Sequence, residues 1–229
     1  MSAVNAHPSH WQLPVSRSAI WHGAKSAQTQ ADLSFVDPML RRRLSPLARA
    51  VFHVGHQCRG NLKNLPIIYA SRHGELDRTL QLLQAIAAGE DLSPTTFGLS
   101  VLNANPGLYS IACADTAPGT AVAAGAETLG FGTIEAASRV ASHGQPVLFI
   151  YADAPPPSPL GSYTSDPAAI IAIALLLDPA AKPQLRCTCT PHSGDANPDS
   201  QADAFLPLFD GKTSSTWSSG TKLWEWELS

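Results

Sequence analysis

The stretch from Thr120 to Ala152 constrains the fold more than any other part of the chain. Thr120 to Ala124 (TAVAA) is a small-residue segment with strand character that runs into a tight turn at Gly125. A helix is predicted at 127–142, because Leu129, Thr133, Ala136 and Val140 recur at the helical period and form one inner face. Gly144 stands where a C-cap belongs. Val147 to Ala152 (VLFIYA) is then apolar throughout, the pattern of a strand buried on both faces. Strand, helix and strand of these lengths make a crossover connection, which requires a parallel pair and therefore an α/β architecture.

The rest of the chain is read around that unit. With 229 residues, one domain over 1–229 is the default. Ser45-Pro46 offers an N-cap followed by an N1 proline, and Leu47, Val51, Val54 and Cys58 continue at helical spacing, so a helix is predicted at 46–59. Pro66 to Ala70 (PIIYA) reads as a short strand. A second helix at 75–88 carries Leu76, Leu80, Leu83 and Ile86 on its expected inner side and ends at Gly89. The segment 93–111 opens at Ser93-Pro94, is weakly helical over 96–103 and is expected to turn at Pro106-Gly107, with a strand near 109–113. Residues 1–40 look irregular, with Trp11 and Trp21 as apolar anchors, and 187–220, rich in Ser, Thr, Asp, Gly and Pro, reads as loops. The terminal TKLWEWEL alternates apolar and charged residues, which marks a candidate edge strand.

Only 14% of the residues are charged, about half the usual share, while 44% are hydrophobic, and this points to a large buried interface. A formal net charge of −3 leaves no electrostatic footprint for nucleic acid. The first residues lack a basic segment followed by an apolar one, so no secretory signal is expected. The longest apolar run, Ala168 to Leu177, is half of the roughly 20 residues that a bilayer needs, and is read as a buried helix or strand rather than a membrane insertion. Four scattered cysteines do not make a disulfide scaffold, and the cytoplasm is the expected compartment.

Several short motifs suggest chemistry and fail on spacing. Cys187, Cys189 and His192 have ligand-type side chains but no second cluster to complete a zinc site, so a strand-and-loop reading is preferred and no metal or cofactor is expected. Gly211-Lys212-Thr213 lacks the earlier glycine of a phosphate loop, since position 206 is Leu206. Ser71, His73 and Asp77 have no nucleophile elbow around the serine, and His73 is expected to order a strand-to-helix loop. His53 and His56 share a helix without metal-ligand spacing and read as core-edge or interface residues. The turn at 119–130 remains the best site, because a helix N-terminus offers free amides and a positive dipole end. Glu127 and Thr128 occupy its first turn, where an acidic residue also serves as plain capping chemistry.

Taken together, LSPLARAVFHVGHQC, PIIYASRHGELDRTLQLLQAI, SPTTFGLSVLNANPGLYSIA, TAVAAGAETLGFGTIEAASRV and QPVLFIYAD resemble the β-ketoacyl synthase-like family of thiolase-fold proteins. The resemblance is closer to the short members found with aryl polyene and related pigment pathways, and it spans 10–178 and the terminal tryptophan segment. It implies half of a thiolase-like fold: a mixed sheet with flanking helices. Condensing enzymes of this family deliver a cysteine nucleophile at the start of a buried helix. Aligned through Ile134, Arg139 and Gly144, that position holds Glu127; a slide to Thr120-Ala121 would place Val122 there instead, and Cys113 lies upstream of the turn. Nothing beyond residue 155 resembles the second half that supplies two histidines, and the sole late histidine is His192.

The resemblance therefore implies a noncatalytic, chain-length-factor-like subunit. Its expected partners are a ketosynthase with an intact catalytic cysteine and, through that complex, an acyl carrier protein. A thiolase-type half is expected to leave one sheet face and an interface strand uncovered, with Phe97, Leu102, Asn103, Tyr109 and Thr128 at the pocket or interface. Two alternatives stay open: an acyl-processing enzyme using Glu127 as general base, and an unrelated α/β binding protein or scaffold.

Overall fold

A computed structural model describes residues 8–23, 31–164, 167–182 and 185–228. Its elements, in chain order, begin with β1 (Ser9–Leu13), β2 (Val15–His22), α1 (Pro38–Arg41), α2 (Pro46–Arg59), β3 (Ile67–Ala70) and α3 (Leu76–Ala88). The middle holds α4 (Pro94–Gly98), α5 (Ala104–Ala112), β4 (Gly119–Val122), α6 (Thr128–His143) and β5 (Val147–Asp153). The last part holds β6 (Ile171–Leu177), β7 (Leu185–Pro191), α7 (Gln201–Phe205), β8 (Ser214–Ser218) and β9 (Lys222–Leu228).

Five strands form a mixed sheet in the order β2-β6-β5-β3-β4. Both β4 and β5 run parallel to β3, which lies between them, so the crossover through α6 is present as expected. β6 and β2 extend the sheet antiparallel. Period-two alternation splits this sheet between two cores. Val147, Phe149 and Tyr151 of β5 face α6, while Leu148, Ile150 and Ala152 face the other way, against α2. α2 begins as the sequence indicates: the Ser45 hydroxyl accepts from the Ala48 amide at 2.9 Å with Pro46 at the first helical position.

The second sheet is the main departure from expectation. Four strands in the order β1-β7-β9-β8 cover the far side of α6, so the molecule is layered as helix, sheet, helix, sheet. The uncovered sheet face expected of a thiolase-type half is not seen: both faces of the five-stranded sheet are packed by helices, and the far side of α6 is closed by the second sheet. Residues 9–22 are accordingly strands rather than irregular segments, although residues 1–7 and 24–30 of the 1–40 tract lie outside the described residues. The 187–220 tract is likewise not simply loop: it carries most of β7, then α7 and β8, with Trp217, Ala202 and Phe205 in the core. Its polarity misleads because strands with one wet face alternate Ser or Thr with Trp or Cys. β9 alternates as read, with Trp224 and Trp226 buried, yet it lies between β7 and β8 and is not an edge.

Two local expectations also change. α5 is a helix where a turn and a strand were expected, because Pro106 falls in its first turn, where the missing N–H has no helical partner to lose. On α3, Leu82 is buried, whereas Leu83 and Ile86 of the expected inner face are 54% and 58% exposed. That apolar stripe is not covered by any described part of this chain. The longest apolar run resolves as β6, buried along its whole length, and among the described residues no helix is long and apolar enough to cross a membrane.

Candidate functional site

The turn between β4 and α6 is built from small residues and closed from within. Gly125 takes a left-handed φ of +59°. The Thr128 hydroxyl accepts from the Ala124 amide at 2.8 Å and donates to the Gly125 carbonyl at 2.7 Å. Thr128 is buried and serves the turn, not a pocket.

Glu127 reaches across to the second sheet. One carboxylate oxygen accepts from Lys222 Nζ at 2.8 Å and the other from the Trp224 indole N–H at 3.3 Å. Partial burial acts to raise its pKa, but the bonds from Lys222, Ser219 and Trp224 outweigh it and hold the carboxyl below the ordinary glutamate range. A carboxylate in that state is a poor general base at neutral pH. The next turn of α6 leaves no room either. A Cβ on Gly130 would lie 2.3 Å from the Trp224 ring, and one on Gly132 would lie 2.7 Å from the Ala70 methyl and 2.9 Å from Phe149. Gly130 N–H donates to Gln201 Oε1 at 2.8 Å, and Trp11 donates to Thr133 at 3.2 Å. Phe131 and Trp11 pack edge-on to Trp224. α6 is thus clamped between two sheets.

The thiols lie elsewhere. Cys58 is buried in α2, donates to the Ala174 carbonyl, and its pKa is pushed by burial to about 12. Cys187 and Cys189 lie in β7 opposite Trp226 and Trp224, and burial raises both. No group of three or more potential metal ligands occurs among the described residues.

Ser71 and His73 do come together with a carboxylate, but it is Asp153, not Asp77. Asp153 Oδ1 accepts from the Ser71 hydroxyl at 2.8 Å and the His73 amide at 2.9 Å, and Oδ2 accepts from the Arg72 amide at 3.0 Å. Burial raises the Asp153 carboxyl against these bonds. The arrangement pins the β3–α3 loop through its backbone, in keeping with an ordering role for this segment. The sequence signal for Asp153 is a lone acid closing an otherwise apolar strand.

Beside it a second buried network mounts the 93–111 segment. Glu75 accepts from Ser45 at 2.7 Å and from Asn105 at 3.0 Å and pairs with Arg78 at 3.2 Å, while Asn105 also donates to the Tyr69 hydroxyl. Glu75 and Asn105 were not singled out from the sequence; their burial depends on helices far apart in the chain.

The expected interface residues divide. Phe97 is 60% exposed on α4, Asn103 is exposed at the N-cap of α5, and Leu102 is half-buried near Gly74. Tyr109 is fully buried, edge-on to Phe52, and cannot contact a partner; the helical turn of α5 sends Tyr109 inward and Ile111 outward. Leu83, Ile86, Leu92, Val101 and Ile111 join Phe97 as exposed apolar residues on the α3–α4–α5 side. β4, with an unpaired outer edge, closes the same end of the sheet order.

Residues 11–227 match the family described as beta-ketoacyl synthase, N-terminal domain, and the chain belongs to that family. Its mixed α/β architecture, with two sheets and flanking helices, is the thiolase-like ketosynthase fold. A chain of the solved complex of a ketosynthase (ApeO) with its chain length factor (ApeC) from Xenorhabdus doucetiae is similar at 31% identity and a TM-score of 0.74. The match covers 83% of this chain and 81% of that one. None of the curated proteins matches.

Proposed function

We propose that this chain is a chain-length-factor-like subunit: it performs no condensation and pairs with an active ketosynthase as a heterodimer in the cytoplasm. The chemistry served is acyl-carrier-protein-dependent elongation of an aryl polyene or fatty-acid-type chain. The observation that carries the reading is Glu127. Of the two positions that the family resemblance aligns with the cysteine nucleophile, one holds Val122 and the other Glu127, a carboxylate committed to Lys222 and Trp224, and neither is a thiol. Condensation needs a thiolate and an oxyanion stabiliser in one pocket, and here that volume holds an ion pair and tryptophan rings.

The pairing is supported by two further features. The similar chain comes from a ketosynthase–chain length factor complex, and the two coverages mean that it is of nearly the same length as this one. The unpaired β4 edge and the exposed α3–α4–α5 residues are surfaces that a lone soluble subunit would have to protect. The test is reconstitution with malonyl-loaded acyl carrier protein. Elongation is expected from the ketosynthase plus this chain and none from this chain alone; turnover by the purified chain alone would overturn the noncatalytic reading.

A further inference from the structure

A groove of about 380 Å³ lies between the C-terminal ends of α2 and α5, lined by Phe35, His56, Arg59, Leu62, Lys63 and Cys113 among others. It sits by the starts of β3 and β4, at the opposite end of the five-stranded sheet from the Glu127 turn. It is distinct from the surfaces discussed above.

Its chemistry is one-sided. Arg59 is 4% exposed, and its Nε and Nη2 are committed to the Leu62 carbonyl and, at 2.5 Å, to Asp115. Asp115 is saturated, accepting also from the Leu65 and Ala117 amides. That leaves Arg59 Nη1 buried without a hydrogen-bond partner among the described residues, and the same holds for His56 Nδ1 and the Tyr109 hydroxyl. Tyr109 is close to both Arg59 and Cys113 but in hydrogen-bond geometry with neither. Orphaned buried polar atoms are costly, so the two on lining residues, Arg59 Nη1 and His56 Nδ1, call for an occupant. Lys63 adds an exposed ammonium at the rim. The nearest carboxylate to His56, Asp32, accepts from the Ser34 amide. The walls are apolar and planar: Phe35 stacks on His56 at 3.8 Å and 5°, with Leu62 and Ala112 opposite.

An unpartnered guanidinium N–H at the floor, a cation at the rim and a flat apolar wall select an oxyanion on an apolar body. We infer that this groove binds a small carboxylate with an aromatic or short aliphatic body, its oxygens taking the free hydrogen bonds of Arg59 and its neighbours. Two surface variants test the site without touching the buried Arg59–Asp115 pair: Lys63→Gln, which removes the rim charge, and Leu62→Asp, which places a negative charge at the mouth. Amide chemical shifts of the full chain would be followed on titration with benzoate and, in parallel, with neutral benzamide. Benzoate is expected to shift amides at 56–63 and at 112–113, benzamide to bind about tenfold more weakly, and both variants to weaken benzoate several-fold. Absence of shifts in that segment, equal binding of benzamide, or affinity unchanged in both variants would each overturn the site. The groove lies at the opposite end of the sheet from Glu127 and benzoate binding is read on this chain alone, so none of these results bears on the pairing with a ketosynthase.

Discussion

Around the start of α6, Glu127 is held by Lys222 and Trp224, Thr128 closes its own turn and Gly130 touches the Trp224 ring, whereas on the α3–α4–α5 side Leu83, Ile86, Phe97 and Ile111 stand in solvent. The two regions differ in how far the chain satisfies itself. α6 is a structural rod between two sheets, with polar groups near its start bound to the second sheet. The uncommitted surface lies on the flank, on helices mounted firmly by Glu75 and Asn105 but covered by none of the described residues.

The comparison breaks most easily at Trp224. Trp224→Ala empties the space against Gly130, Phe131 and Trp11 and is expected to destabilise the protein by about 4 kcal/mol in urea unfolding. Next comes Gly130→Ala, whose new methyl meets ring carbons that have no free direction to move; a loss of about 3 kcal/mol is expected by the same measurement. A small effect from either would mean that α6 is not clamped.

How far these features were legible varies with the distance between partners. α2, α6 and β5 could be read because Ser45-Pro46, the Leu129–Val140 stripe and the VLFIYA run are local signals. Of the second sheet only β9 could, from its alternation; the rest could not, because β1 pairs with β7 far along the chain, Ser9 opposite Cys189, and β1, β7 and β8 alone look like polar or irregular segments. α5 was missed because Pro106-Gly107 reads as a turn unless the helix starts at Ala104. Glu127 was legible as a residue of the first turn of α6 and as one of two candidates for the nucleophile position, but Lys222, its partner, gave no sign, since their contact depends on β9 lying inside the sheet.

That contact makes a milder, pH-dependent prediction. The folded pKa of Glu127 lies below its unfolded value, so its contribution is present at neutral pH and is lost as pH falls through the folded value. With Lys222 partly exposed and screened by solvent, Glu127→Gln is expected to cost only about 1 kcal/mol at neutral pH. Melting temperatures of the two proteins should converge in acid; a constant offset at all pH values would deny the ion pair. Smallest in stability is Phe97→Asp, expected to change unfolding by no more than about 0.5 kcal/mol because the side chain already stands in water. Its effect should instead appear as lost co-purification with a ketosynthase, and full retention would move the interface away from α4.

The most direct measurement is the mass, by light scattering after gel filtration, of this chain co-expressed with a ketosynthase from the same genome. The expected result is a single species whose mass is the sum of one ketosynthase and one copy of this chain. Two separate peaks, with this chain at its own monomer mass and no complex at any ratio, would contradict the account.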